Sequence, residues 1–163
     1  MLLALLGRGA GPCLSVSDRV LLRTRKGTRF VDLTELVQER VRQSGVLAGL
    51  ALVQSLHTTA ALAMNENEPL LLSDLEGTFE RLAPAAAGYA HDDLARRGPL
   101  PPDERPNGAA HCRALVLAPS LTLLVEEGRL VLGRWQRILL VELDPPRERE
   151  IAMLVLGTGE ARS

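Results

Sequence analysis

Residues 46–68 read VLAGLALVQSLHTTAALAMNENE, and this stretch decides the fold. Val46 to Leu56 is dense in Leu, Val and Ala, the composition of a strand buried within a sheet. His57-Thr58-Thr59 interrupts the apolar run. Ala60 to Met64 follows as a second, shorter strand, closed by the polar run Asn65-Glu66-Asn67-Glu68. Pro69 suits the first turn of a helix. Leu71, Leu72, Leu75, Phe79 and Leu82 then recur at helical spacing, which predicts a helix over 69–82.

Upstream, Asp32-Leu33-Thr34-Glu35 has the form of a capping box, and Leu36, Val37 and Val41 keep the helical period up to Ser44-Gly45. A helix is predicted over 34–44. Lys26-Gly27-Thr28 marks a turn. Leu14, Val16, Val20 and Leu22 carry a loose strand period, and residues 1–13, with three glycines, are expected to form a flexible N-terminal segment. Downstream, residues 83–109 hold five prolines and three glycines, too many for a long regular element. Ala109 to Leu117 reads as a short helix. Leu121 to Val125 and Arg129 to Leu132 form a hairpin pattern about Glu126-Glu127-Gly128, and Gln136 to Leu143 and Ile151 to Leu156 are two more strands. Interspersed elements followed by successive strands imply an α+β fold, a single compact domain over 14–163 with a mostly antiparallel sheet and a few helices.

Composition narrows the function. A chain of 163 residues fits one domain. A net charge of -1 leaves no basic excess to neutralise phosphates, and four aromatic residues (Phe30, Phe79, Tyr89, Trp135) offer no stacking platform, so both counts argue against nucleic acid as a partner. Cys13 and Cys112 make neither a disulfide framework nor a CxxC knuckle. The apolar start, Met1 to Leu6, is too short for a signal peptide, and no apolar stretch approaches the ~20 residues of a membrane span. A soluble, cytoplasmic protein with no membrane partner is expected.

Three histidines, His57, His91 and His111, lie in polar contexts or at the edges of predicted elements. Three neutral imidazoles with an open fourth position can hold a catalytic zinc. Their gaps of 34 and 20 residues carry no local ligand motif, so only the fold can bring them together. Glu66 and Asp74 are carboxylates that suit metal ligation or acid–base work, and Asp74 has a position from which it faces the sheet. Otherwise they belong to a polar turn and a helix surface. Asn107-Gly108 precedes a predicted helix start, where free N–H groups suit a phosphate; a plain helix start is the simpler alternative. Gly133-Arg134-Trp135-Gln136 reads most simply as a bulge or strand with a large core ring, and Arg147 to Arg149 as surface.

Taken in order, several segments resemble the YjbQ-like family, known as secondary thiamine-phosphate synthases. They are Phe30-Val-Asp-Leu-Thr34, Ser44-Gly45-Val46, His57-Thr-Thr-Ala60, Asn65-Glu66-Asn67, Asp74, Tyr89-Ala-His91, Asn107-Gly-Ala-Ala-His111 and Gly128-Arg-Leu-Val-Leu-Gly133-Arg-Trp-Gln136. The combination is specific, and it runs from Phe30 to Leu156. The chain departs from the family pattern at Leu117-Ala118-Pro119-Ser120, at Asp144-Pro145-Pro146-Arg147, and in the Arg- and Pro-rich loop from Asp92 to Pro106.

The resemblance implies a homotrimer and a polar pocket gathering the three histidines with the Asn-Glu and Asp positions. It implies an enzyme that joins a pyrimidine diphosphate to a thiazole phosphate and releases pyrophosphate. Catalytic roles fall to His57, His91, His111, Glu66 and Asp74. Contacts to a small phosphorylated metabolite fall to Thr58, Thr59, Asn65, Asn107, Gly108, Trp135 and Gln136. A divalent metal, zinc or magnesium, is an expected cofactor, with His57, His91 and His111 as its ligands. Two other readings remain open: a metal-dependent hydrolase of a phosphorylated metabolite, and a non-enzymatic trimeric protein that binds a metal or metabolite.

Overall fold

The computed structural model describes residues 11–25 and 29–160. The expectations for residues 1–10 and for the Lys26-Gly27-Thr28 turn lie outside the described residues. Two antiparallel sheets and three α-helices make up the described chain. The larger sheet has the order β1-β8-β3-β5-β6, from β1 (Cys13–Arg23), β8 (Glu148–Gly159), β3 (Val46–Ser55), β5 (Ser120–Glu126) and β6 (Arg129–Leu130). The smaller has the order β2-β7-β4, from β2 (Phe30–Asp32), β7 (Arg137–Glu142) and β4 (Ala60–Asn65). The α+β reading therefore holds, with the strands divided between two sheets. The two-residue turn between β5 and β6 places Glu127 at φ 49° and Gly128 at φ 71°, the mirror-image turn that matches strand twist.

Both long helices keep their predicted bounds. α1 spans Thr34–Ser44 and α2 spans Pro69–Leu82. The capping box at α1 does not close: Leu33 is the N-cap, and Asp32 accepts from the Thr34 N–H at 2.9 Å from one residue earlier. Gly45 ends α1 at φ 74°, the left-handed cap that glycine adopts freely. α3 spans Gly108–Ala114, and a single 3₁₀ turn at Ala90–Asp92 breaks the long segment before it.

The main core lies between the two sheets. Ala51, Val53, Ile151, Met153 and Val155 from the large sheet meet Leu62, Ile138 and Leu140 from the small one, with Val37 and Val41 of α1 closing the side. A smaller cluster, with Ala61 and Val141, packs the opposite face of the small sheet against Ala110 of α3 and Phe79 of α2. β7 is thus buried on both faces, which is why Ile138-Leu139-Leu140-Val141 shows no alternation. In the antiparallel β4–β7 ladder, Ala60 faces Glu142 and Asn65 faces Arg137. One end of this ladder therefore carries the 56–59 connector, and the other carries the Asn-Glu-Asn and Trp-Gln segments.

Candidate functional site

At the connector end, the His57, His91 and His111 side chains line one pocket of about 380 Å³. His57 sits between β3 and β4, His91 in the 3₁₀ turn and His111 in α3. The His91 and His111 rings meet edge to face, 4.7 Å between centroids. The Glu150 backbone N–H donates to His57 Nε2 at 2.7 Å, so that nitrogen is unprotonated and the neutral ring carries its proton on Nδ1. Burial lowers the His57 pKa, and the Arg149 charge lowers it further. Burial also lowers that of His111, with His91 adding to the effect.

The same pocket is lined by Arg97, Glu104, Asn107, Arg147 and Arg149. Each arginine is held by a carboxylate. Arg97 Nη1 donates to Glu104 Oε1 at 2.7 Å, and Arg147 Nε lies 3.1 Å from Asp144 Oδ2. Arg149, only 2% exposed, makes a two-pronged pair with Glu142, Nε to Oε2 at 2.8 Å and Nη2 to Oε1 at 2.5 Å. The Thr24 hydroxyl and the Asp144 N–H complete the Glu142 oxygens at 2.8 Å and 3.1 Å. With the guanidiniums balanced in this way, protonation of His57 or His111 changes the charge of the pocket.

The reading of Arg147 to Arg149 as surface is corrected here. Arg149 falls at the inward positions of β8 with Ile151, Met153 and Val155, a period of two that was present in the sequence. Glu142, its partner, is hidden at the end of an apolar run.

The structure also places the other expected site residues. Thr59 is buried and Thr58 exposed, and both line the pocket with Asn107. The N–H groups of Asn107 and Gly108, expected to face phosphate, instead donate to Asp92 Oδ1 at 2.8 Å and 2.7 Å. Gly108 is required by packing, since a Cβ there would lie 2.5 Å from Tyr89 Cβ. Asn65, Glu66, Trp135 and Gln136 stand at the far end of the small sheet, roughly 17 Å away by strand rise. Trp135 is 59% exposed, so the core-ring reading does not hold; Arg134 stacks on its face at 4.6 Å. Asp74 is exposed on α2, whose Leu71, Leu72, Leu75 and Phe79 side turns to the protein instead. Within one chain, then, the histidines converge without Asn65, Glu66 or Asp74.

Among the described residues, no group of three or more His, Cys, Asp or Glu side chains is arranged to hold a metal ion. The imidazoles share a pocket, but one His57 nitrogen is already hydrogen-bonded, so they do not form a preset three-nitrogen centre. No helix among the described residues is long and apolar enough to cross a membrane.

The UPF0047 protein YjbQ-like family matches residues 18–158. A UPF0047 protein of Archaeoglobus fulgidus is 39% identical over 83% of this chain and 97% of its own. One from Methanothermobacter thermautotrophicus is 38% identical over 83% of this chain and 88% of its own. A crystal structure of a YbjQ-like protein from Sulfolobus solfataricus superposes with a TM-score of 0.79 at 33% identity, covering 90% of this chain and 99% of that one. The chain belongs to the YjbQ-like UPF0047 family.

Proposed function

Proceeding from that membership, we propose that the histidine pocket binds a small phosphorylated metabolite and joins a thiazole phosphate to a pyrimidine diphosphate. The observation that supports this reading is the convergence of His57, His91 and His111 from three separate segments beside Arg147 and Arg149. In the reaction, the thiazole nitrogen bonds to the methylene carbon of the pyrimidine. The bond from that carbon to the diphosphate oxygen breaks, and the diphosphate leaves with the electron pair. Stabilising that leaving charge is the main task of the site. Nδ1–H of neutral His57 and the guanidiniums of Arg147 and Arg149 are the donors suited to it. His111, on protonation, adds positive charge where the diphosphate develops its own.

The reading includes a homotrimer. Its support is a row of leucines on the outer face of the large sheet: Leu124 beside Leu50, and Leu50 beside Leu156, all more than 40% exposed. A ring of three copies sets one surface of each copy against a different surface of the next. That geometry offers Asn65 and Glu66 of one copy a route to the histidine pocket of its neighbour. Light scattering is expected to show three chains per particle, with Leu50→Lys falling to one.

The functional test is direct. Purified protein is mixed with the pyrimidine diphosphate and the thiazole phosphate, with and without magnesium or zinc, and thiamine phosphate is measured. Formation that is lost in His57→Ala supports the transfer reading. Phosphate binding without product, in all metal conditions, overturns it in favour of a metabolite-binding protein. Metal-dependent release of inorganic phosphate overturns it in favour of a hydrolase.

A further inference from the structure

One wall of the histidine pocket is held only loosely by the rest of the fold. Residues 93–106 run from the 3₁₀ turn to α3 without helix or strand. The two ends of this segment are pinned together. Asp92 Oδ1 accepts from the Asn107 and Gly108 N–H groups, and Gly108 packs on Tyr89 too closely for any side chain. A segment that leaves and returns at one point forms a closed surface loop, packed mainly by its own side chains. Within it, Arg97 Nη1 donates to Glu104 Oε1 at 2.7 Å and to the His91 carbonyl at 3.4 Å. Arg97 and Glu104 are the loop residues that line the histidine pocket, so this pair is the face the loop turns toward it. Pro99, Pro101, Pro102 and Pro106 fix φ along the loop, which favours movement as a unit on its neck over unravelling.

Beyond the neck, the polar ties of the loop come from one side chain. Among the described residues, the hydrogen bonds and ion pairs from 93–106 to residues outside 90–108 all belong to Arg105. Its Nη2 donates to the Pro145 carbonyl at 3.1 Å and lies 3.6 Å from Asp144 Oδ2. Leu94 and Leu100 belong to neither apolar cluster of the described residues. The Arg105 tie is itself weak. Asp144 is already met by Arg147 Nε at 3.1 Å, the Arg105 side chain is 37% exposed, and its Nε is buried without a partner while the tie holds. A partly exposed ion pair contributes little, and an unsatisfied buried donor counts against the closed position.

We infer that residues 93–106 are a hinged flap over the histidine pocket, latched by Arg105 on the Asp144–Pro145 turn, which opens to admit a ligand and closes with Arg97 facing it. Loops that close over a bound ligand are a common use of such segments. The inference rests on the reading of the histidine pocket as a binding site, but on no chemistry performed there.

The test is limited trypsin digestion of the full-length protein, with each cut identified by mass. Cutting between Arg97 and Gly98 requires Arg97 to leave Glu104 and the pocket, so its rate reports the open flap. Cutting between Arg137 and Ile138, inside doubly buried β7, requires unfolding and serves as the control. Arg105→Gln is expected to speed the Arg97 cut at least tenfold and to leave the Arg137 cut unchanged. An unchanged Arg97 cut, or equal acceleration of both, overturns the inference. In the parent protein, saturating inorganic phosphate is expected to slow the Arg97 cut at least threefold, with binding followed separately through the His57 and His111 ring resonances. Phosphate that shifts those rings without slowing the cut overturns the flap. Phosphate that leaves the rings unmoved overturns the phosphate reading of the pocket instead, and the Arg105→Gln arm still decides the flap.

Discussion

The two ends of the β4–β7 ladder carry the same kinds of residue and treat them differently. At the His57 end, Arg149 and Glu142 are both 2% exposed or less, and every oxygen of the pair is engaged. At the Asn65 end, Arg137 pairs with Asp32 at 2.7 Å while remaining 37% exposed, and Trp135 lies open. The difference comes from what covers each end. The β8 strand start, α3 and the loop between the 3₁₀ turn and α3 surround the first end, and beneath the pocket they line the Arg149–Glu142 pair is buried, which strengthens its electrostatics. The second end has the short β2 edge, the start of α1 and a polar turn. A chemical site needs the first kind of environment, whereas the second is suited to recognition by another surface.

The largest expected effect comes from breaking the buried pair. Glu142→Gln leaves the Arg149 charge without its partner, and the loss in folding stability should be about 3–5 kcal/mol. Urea denaturation measures it. A loss under about 1 kcal/mol would mean that water reaches this end, and the contrast between the ends would fail.

His57→Ala tests whether the His57 end is where ligand binds. Inorganic phosphate affinity, by calorimetry, should fall roughly tenfold or more, equivalent to about 1.4 kcal/mol. Glu66→Gln at the far end should leave phosphate affinity unchanged and lower only the yield of thiamine phosphate. If Glu66→Gln weakens phosphate as much as His57→Ala does, the two ends act as one site even in binding.

The matching charge deletion at the open end should matter little. Arg137→Ala removes an exposed pair and is expected to cost about 1 kcal/mol or less in urea. A cost near that of Glu142→Gln would show the open end to be covered in solution, as a neighbouring copy would cover it.

Much of this architecture is legible in the sequence. α1 and α2 follow from periodicity with punctuation at Gly45 and Pro69, signals that are local in sequence. The histidines could be nominated but not joined, because their meeting depends on the 34- and 20-residue separations closing through the β4–β7 register and α3. Arg149 reads as surface in the sequence because three charged neighbours, Arg147, Glu148 and Glu150, mask its inward place in the β8 alternation. Asp92 was unreadable as the partner of the α3 N-terminus, since its bonds to Asn107 and Gly108 span 15 and 16 residues. β2 is three residues long, too short for any period to show.

The smallest effect separates the two ends by pH. Burial first, and then positive neighbours, hold the His57 and His111 pKa values below the ordinary histidine value of about 6.5. The unfolded chain therefore takes up these protons at higher pH than the folded chain. Their contribution to stability is complete above about pH 6.5 and is lost as pH falls toward the folded pKa values. Asp32 behaves otherwise: burial opposes its ionisation, but hydrogen bonds from Thr34 and Arg137 outweigh this and lower its pKa. Its contribution persists down to about pH 4 and is lost only below that. Urea midpoints between pH 7.5 and 5.5 should thus report the histidine end, and those between pH 4 and 3 should include the Asp32 end. The double variant His57→Gln, His111→Gln should flatten the upper window and leave the lower one sloping. Phosphate must move the upper window in the opposite sense, since an anion in the pocket favours imidazolium and its affinity should rise as pH falls from 7.5 to 6. An upper slope that survives in the double variant would place the titrating groups elsewhere and remove the histidine end from the comparison.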